Sequence, residues 1–170
     1  MDLTKEQLLG IKNKYAEKQT CFYLAYLFQR SCLKKIRELD TDTEVISISP
    51  STLYVKMLNK KFIRAYGRLK LMNALLKTAK TTEQLDHYIK LFKIDEIDKD
   101  LPHAFRLSKK FCDLYRTKGY VPKESLENLE KSNRIICGVY KESIQQLQCC
   151  IDVIDKSLES SNSDDLQKQL

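Results

Sequence analysis

The sequence predicts an all-α protein, a largely antiparallel bundle of four to five helices with a long C-terminal helix. Only 4 Gly and 3 Pro occur among 170 residues, whereas a sheet protein of this length needs many turns, which favour both residue types. Long segments also repeat apolar residues with a helical period, and capping signals precede several of them. We expect one domain over residues 1–159 and a polar, disordered tail over residues 160–170.

The first predicted helix runs from about Lys5 to Leu39. Thr4 followed three residues later by Gln7 is a capping-box pattern that predicts its start. The segment CFYLAYLF, residues 21–28, is apolar on every side. Because a helix that is apolar all round has to be surrounded, either by its own domain or by a partner, we expect residues 21–28 at the centre of the bundle, with a partner-binding surface as the alternative.

The second predicted helix has a clear pattern and begins with Ser49 as N-cap and Pro50 in the first turn. Its apolar residues step by three and four positions, which predicts a seam against other helices; they are Leu58, Phe62, Ala65, Leu69, Met72 and Leu76. Basic residues occupy the opposite arc of the helix; they are Lys56, Lys60, Lys61, Arg64 and Arg68.

Three further helices complete the prediction. One runs from about Thr82 to Phe92 after a second capping box, one from about Asp100 to Thr117, and the last from about Lys123 to Leu158. The last helix would be roughly 50 Å long, which exceeds what a compact bundle needs. We therefore expect either a break near Cys137–Gly138 or a far end that packs against something else.

The net charge of +7 is concentrated in one segment. Residues 45–82 contain eight Lys and Arg residues and no Asp or Glu. Such asymmetry indicates a nucleic acid, an anionic membrane surface or an acidic protein as partner, or else a basic helix face exposed to solvent.

The six cysteines contain no C-x-x-C spacing, so the zinc-ribbon and thioredoxin patterns are absent. We predict reduced thiols in the nucleus or cytoplasm, packed mostly as small apolar side chains. Of the adjacent Cys149 and Cys150, at most one is expected on the core seam. We expect no signal peptide and no transmembrane segment, because the most apolar run, residues 21–28, is far too short to span a bilayer.

No catalytic set is recognisable. The glycine motifs of phosphate-binding loops and nucleophile elbows are missing, and the two histidines, His87 and His103, fall in different predicted helices. The acidic residues between 95 and 100 lack the order of a calcium-binding loop. The sequence thus predicts a protein that is not an enzyme and that uses no cofactor and no metal.

These observations favour a protein–protein interaction subunit or adaptor of an intracellular, nuclear or cytoplasmic complex. It would bind a protein partner, or a second copy of itself, through helical surfaces. The residues predicted to form the seam or the partner contact are Leu126, Tyr140, Leu147, Ile151 and Ile154. The alternative is a nucleic-acid-binding protein that uses the basic arc of the second helix, Lys56 to Arg68, on the phosphate backbone.

Overall fold

The computed structural model describes the backbone of residues 3–37, 40–41, 50–99, 120–121 and 123–169. Side chains are described for residues 3–31, 34, 62–99, 130–131 and 133–161. This part of the chain is all-α, as predicted. The helix predicted at about Asp100–Thr117 lies outside the described residues.

The described helices are α1 (Lys5–Arg37), α2 (Pro50–Leu76), α3 (Thr82–Phe92) and α4 (Lys123–Gln169). A 3-10 turn, Ile94–Glu96, follows α3. Two short strands, β1 (Asp40–Thr41) and β2 (Tyr120–Val121), pair in parallel with Asp40 opposite Tyr120 and Thr41 opposite Val121. The predicted helix starts at Lys5, Pro50, Thr82 and Lys123 are confirmed.

Capping explains where two of the helices begin. At α1, the Thr4 amide donates to Gln7 Oε1 at 2.9 Å and the Gln7 amide donates to Thr4 Oγ1 at 3.2 Å, which completes the predicted capping box. At α3, Thr81 Oγ1 accepts from the Gln84 amide at 3.2 Å. Helix α3 ends at Lys93, whose left-handed backbone (φ 53°) directs its amide back to the carbonyls of the last turn.

Helix α4 lies at the centre of the fold, between α1 and α2. Helix α1 runs antiparallel to it, because Lys12 contacts Asp155 while Gln29 contacts Asn133 at the other end. Helix α2 runs parallel to α4. Tyr66 packs at Gly138, and further along both helices Met72 lies beside Gln146.

The expectation that residues 21–28 lie at the bundle centre is wrong. Phe22 and Ala25 are buried, but Tyr23, Leu24 and Leu27 of the same segment are exposed. Among the described elements, α1 packs chiefly on α4, so one arc of its surface is covered and the arc that carries Tyr23, Leu24 and Leu27 is exposed. The central helix is instead α4, and the apolar residues that surround it lie on the faces of the neighbouring helices that pack against it.

Helix α4 does not break near Cys137–Gly138 and extends eleven residues past the predicted end at Leu158. Residues 160–169, for which we predicted a disordered tail, have helical backbone. The physical reason is that the chain contains no Gly or Pro after Gly138, so none of the strong helix breakers interrupts α4. Both Cys149 and Cys150 are buried, because neighbours cover α4 from more than one side.

Candidate interaction surfaces

The residues of α4 predicted as seam or partner contact form an internal seam. Tyr140, Leu147, Ile151 and Ile154 are all buried and belong to one apolar cluster with residues of α1, α2 and α3. Since their side chains are already covered by the protein itself, they offer no surface to a partner. The Leu126 side chain lies outside the described residues.

Polar contacts between helices fix the register of this seam. Gln29 of α1 donates through Nε2 to Asn133 Oδ1 of α4, and both side chains are buried. On the other side of α4, Asn73 Nδ2 donates to Glu142 Oε2 at 2.7 Å and to the Glu142 carbonyl at 2.9 Å. A shift of either helix by one turn would leave these buried groups without partners, which is costly. The sequence pattern did not single out these polar residues, because they fall within otherwise apolar faces.

The exposed side of α1 carries a contiguous apolar patch. Tyr23 and Leu24 are 53% and 57% exposed, and Leu27 and Phe28 are 41% and 37% exposed. Their spacing of one, four and five positions places them on adjoining turns of one helix face. We call these four residues the α1 face. The sequence predicts an excess of apolar residues in this segment, with the bundle centre as its expected place and a partner-binding surface as the alternative.

Basic side chains lie close to the C-terminal end of the α1 face. Arg30 lies 5.8 Å from the centre of the Tyr26 ring, and Lys141 of α4 lies 5.3 Å from the same ring. Lys34, one turn further along α1, is exposed. Arg30 and Lys34 therefore place positive charge after the apolar patch along α1, whereas Lys141 lies against Tyr26, which is not part of the α1 face.

The basic arc predicted on α2 is partly visible. Arg64 and Arg68 are exposed, and neither forms an ion pair with a described residue. The side chains of Lys56, Lys60 and Lys61 lie outside the described residues. Beyond Arg68 the same arc continues with Leu71 and Leu75, which are 66% and 41% exposed. This arc thus changes from basic to apolar along the helix.

The acidic connector after α3 is neutralised within the protein. The buried ammonium group of Lys18 donates to Asp98 Oδ1 at 2.6 Å and to the Asp95 carbonyl at 2.5 Å. Lys14 and the Tyr15 hydroxyl both donate to Asp95 Oδ1 at 3.0 Å. These contacts anchor the 3-10 turn to α1.

Two ionisable groups of this connector cluster are perturbed. Burial opposes ionisation of Asp98, but the hydrogen bond and charge of Lys18 outweigh it and lower the pKa of this carboxyl. Burial, followed by the negative charge of Asp95, raises the pKa of the Tyr15 hydroxyl. Tyr15 therefore stays protonated and serves as a hydrogen-bond donor.

The cysteines differ strongly in access to solvent. Cys137, Cys149 and Cys150 are buried free thiols, and Cys21 is an exposed one. Burial, and next the proximity of Cys149, raises the pKa of Cys150 to about 12. At neutral pH this thiol is not a nucleophile, because the thiolate is the reactive form. Cys32 and Cys112 lie outside the described side chains.

His87 is exposed on α3, with its ring 5.8 Å from that of Tyr88, and His103 lies outside the described residues. The described residues contain no group of three or more His, Cys, Asp or Glu side chains placed to hold a metal ion. Nor does any helix in the described part of the chain combine the length and apolarity that a membrane crossing requires.

Comparison of the chain with protein-family models, with curated proteins and with solved structures finds no match in any of the three. A functional interpretation therefore has to come from the surfaces themselves.

Proposed function

We propose that this protein is a non-enzymatic interaction subunit of an intracellular complex and that it binds a helix of a partner protein across the α1 face. The observation that supports the proposal is the exposure of Tyr23, Leu24, Leu27 and Phe28 together on adjoining turns. Single exposed apolar residues are ordinary, whereas a contiguous patch is typical of a binding surface. The three buried free thiols favour a reducing compartment.

The energetics of the α1 face suit a helical partner. Each of its side chains keeps about half of its surface exposed, so covering it is worth roughly 1 kcal/mol. Two aromatic residues and two leucines in a strip two turns long match the apolar stripe of an amphipathic helix, which presents residues at the same spacing. The positive charges of Arg30 and Lys34, which follow the face along α1, favour acidic residues beside that stripe.

The test uses charges introduced into the exposed patch, because charges in the core would unfold the protein. Tagged wild type, the double variant Leu24→Asp/Leu27→Asp and the control Leu91→Asp are purified from the native cells after cross-linking. Leu91 is 57% exposed on α3, so it tests the effect of an apolar-to-acidic change elsewhere on the surface. Circular dichroism verifies that all three proteins are folded.

We expect a protein present in amounts comparable to the bait with wild type and with Leu91→Asp, and absent with the double variant. Equal recovery with all three baits would refute the use of the α1 face. The α1 face could instead be covered by a second copy of the chain. Light scattering of the purified protein measures its mass and so tests for such a dimer. A doubled mass that reverts in the double variant would show that a second copy of the chain covers the face, contrary to the proposal.

A nucleic-acid-binding function is the second candidate, and it is favoured by the exposure of Arg64 and Arg68. Their arc also carries Leu71 and Leu75, for which a phosphate backbone offers no apolar counterpart. The charge reversal Arg64→Glu/Arg68→Glu tests this candidate. Binding to the backbone should fall steeply with salt and be abolished by the variant. If the partner protein is still recovered with this variant after nuclease treatment, the protein-binding function stands and the nucleic-acid candidate is refuted.

A further inference from the structure

A small open groove lies where the N-terminal end of α1, the start of α3 and α4 near residues 156–161 come together. Its volume is about 390 Å³, within the range of small-molecule sites. Leu8 is buried at its base, and Leu3 and Leu158 are half-buried beside it. This groove lies apart from the α1 face and does not depend on the function proposed for that face.

Among the described residues, the polar lining of the groove is basic or hydroxyl-bearing. Helix α1, the loop before α3 and helix α4 each contribute one lysine, and hydroxyl-bearing residues also line the groove; the residues are Lys5, Lys80, Thr82, Lys156, Ser157, Ser160 and Ser161. Neither Lys80 nor Lys156 forms an ion pair with a described residue. Among the described residues no Asp or Glu lines the groove, and Asp155, which precedes Lys156, is paired with Lys12 at 2.6 Å.

We propose that this groove binds a small organic phosphate. The ammonium groups of Lys80 and Lys156 would contact the phosphate oxygens, and the Thr82 and Ser157 hydroxyls would donate further hydrogen bonds. A phosphate group suits such a site because it has several strong acceptor oxygens and close to two negative charges at neutral pH. The apolar base formed by Leu3, Leu8 and Leu158 would contact the carbon skeleton of the ligand.

The same chemistry could come from a soluble metabolite or from a phospholipid headgroup, and the two sources need different probes. Inositol hexakisphosphate serves as the soluble probe and is titrated calorimetrically into the full chain. For the lipid arm, the protein is sedimented with phosphatidylcholine vesicles that contain or lack phosphatidylinositol bisphosphate. Sulfate, titrated at the same ionic strength, controls for simple anion attraction.

The deciding variant is Lys80→Gln/Lys156→Gln, and its matched control is Lys93→Gln/Lys131→Gln. Both remove two positive charges from exposed side chains, so the net charge of the protein changes equally. Loss of charge-assisted hydrogen bonds predicts at least about tenfold weaker binding of the phosphate probe by the groove variant. The control variant should bind within about twofold of wild type, because long-range attraction alone is screened.

Binding of the soluble probe with this difference between variants supports a free organic phosphate as ligand. Sedimentation only with the phosphoinositide vesicles, again lost in the groove variant, supports the lipid headgroup. The proposal is overturned if neither probe binds, if sulfate competes as well as the phosphate probes, or if both variants lose affinity equally. Since the α1 face is unaltered in all of these proteins, the result is independent of partner binding.

Discussion

The ring of Tyr66 lies against the backbone of Gly138, so that a Cβ atom added at Gly138 would be 2.7 Å from Tyr66 Cε2. This contact brings α2 and α4 into close approach at a residue that has no side chain. The ring also holds Lys70, whose Nζ lies 4.1 Å from the ring centre. Interaction with the Tyr66 side chain raises the pKa of Lys70 and so favours its cationic form.

Gly138 lies at the α2–α4 interface, whereas Gly67 lies on the exposed side of α2. Replacing each by alanine should change the stability of the protein in opposite directions. A Cβ atom added at Gly67 would have no neighbouring atom within 4 Å, so Gly67→Ala should stabilise the fold by about 0.5–1 kcal/mol through helix propensity. Gly138→Ala gains the same propensity but displaces Tyr66, and such overpacking costs about 1–3 kcal/mol. Urea unfolding of both variants measures the difference, and equal stabilisation by the two changes would contradict the close contact.

Leu147 and Leu24 should differ sharply in what their truncation costs. Leu147 is fully buried on α4, so Leu147→Ala should lower the free energy of unfolding by about 2–5 kcal/mol. Leu24→Ala should change it by less than about 0.5 kcal/mol, because Leu24 is 57% exposed. Thermal unfolding followed by circular dichroism measures both. A large loss of stability on Leu24→Ala would mean that the α1 face is needed for folding and is not an open surface.

The thiols should react in two classes. Cys21 is exposed, whereas Cys137, Cys149 and Cys150 are buried, so iodoacetamide should modify Cys21 quickly and the other three only after unfolding. Peptide-resolved mass spectrometry reads each cysteine separately. Because Cys21 lies one turn before Leu24, a partner bound to the α1 face should also slow its modification. Rapid labelling of Cys150 in the folded protein would contradict its position in the core.

The Lys18–Asp98 ion pair should make stability depend on acidity. The pKa of Asp98 in the folded protein lies below its ordinary value of 3.8, so in acid the unfolded chain binds more protons than the folded one. The contribution of the pair is therefore complete above that ordinary pKa and is lost as the pH falls through the lower, folded value. Wild type and Asp98→Asn, compared by urea unfolding from neutral to acidic pH, should differ at neutral pH and converge in acid. A difference that stays constant with pH would exclude the ion pair as its cause.

Local signals in the sequence were enough to predict the class of fold and most helix starts. Thr4 with Gln7 and Thr81 with Gln84 act through hydrogen bonds between residues three positions apart, so no distant part of the chain is needed to specify them. The end of α4 was placed too early because its last residues are polar. Polar side chains keep a helical segment out of the core, but they do not end the helix where no Gly or Pro follows.

The sequence by itself determined where the described helices begin, because capping and helical periodicity are properties of neighbouring residues. It also determined that Met72 and Leu76 face the core and that Arg64 and Arg68 face outward, because all four lie on one amphipathic helix. Only the tertiary structure decided that α4 takes the centre, which buries Tyr140 and Leu147 and leaves Tyr23 and Leu24 exposed. The reason is that α1 and α4 are both rich in apolar residues, and a helix is covered only as far as its neighbours surround it.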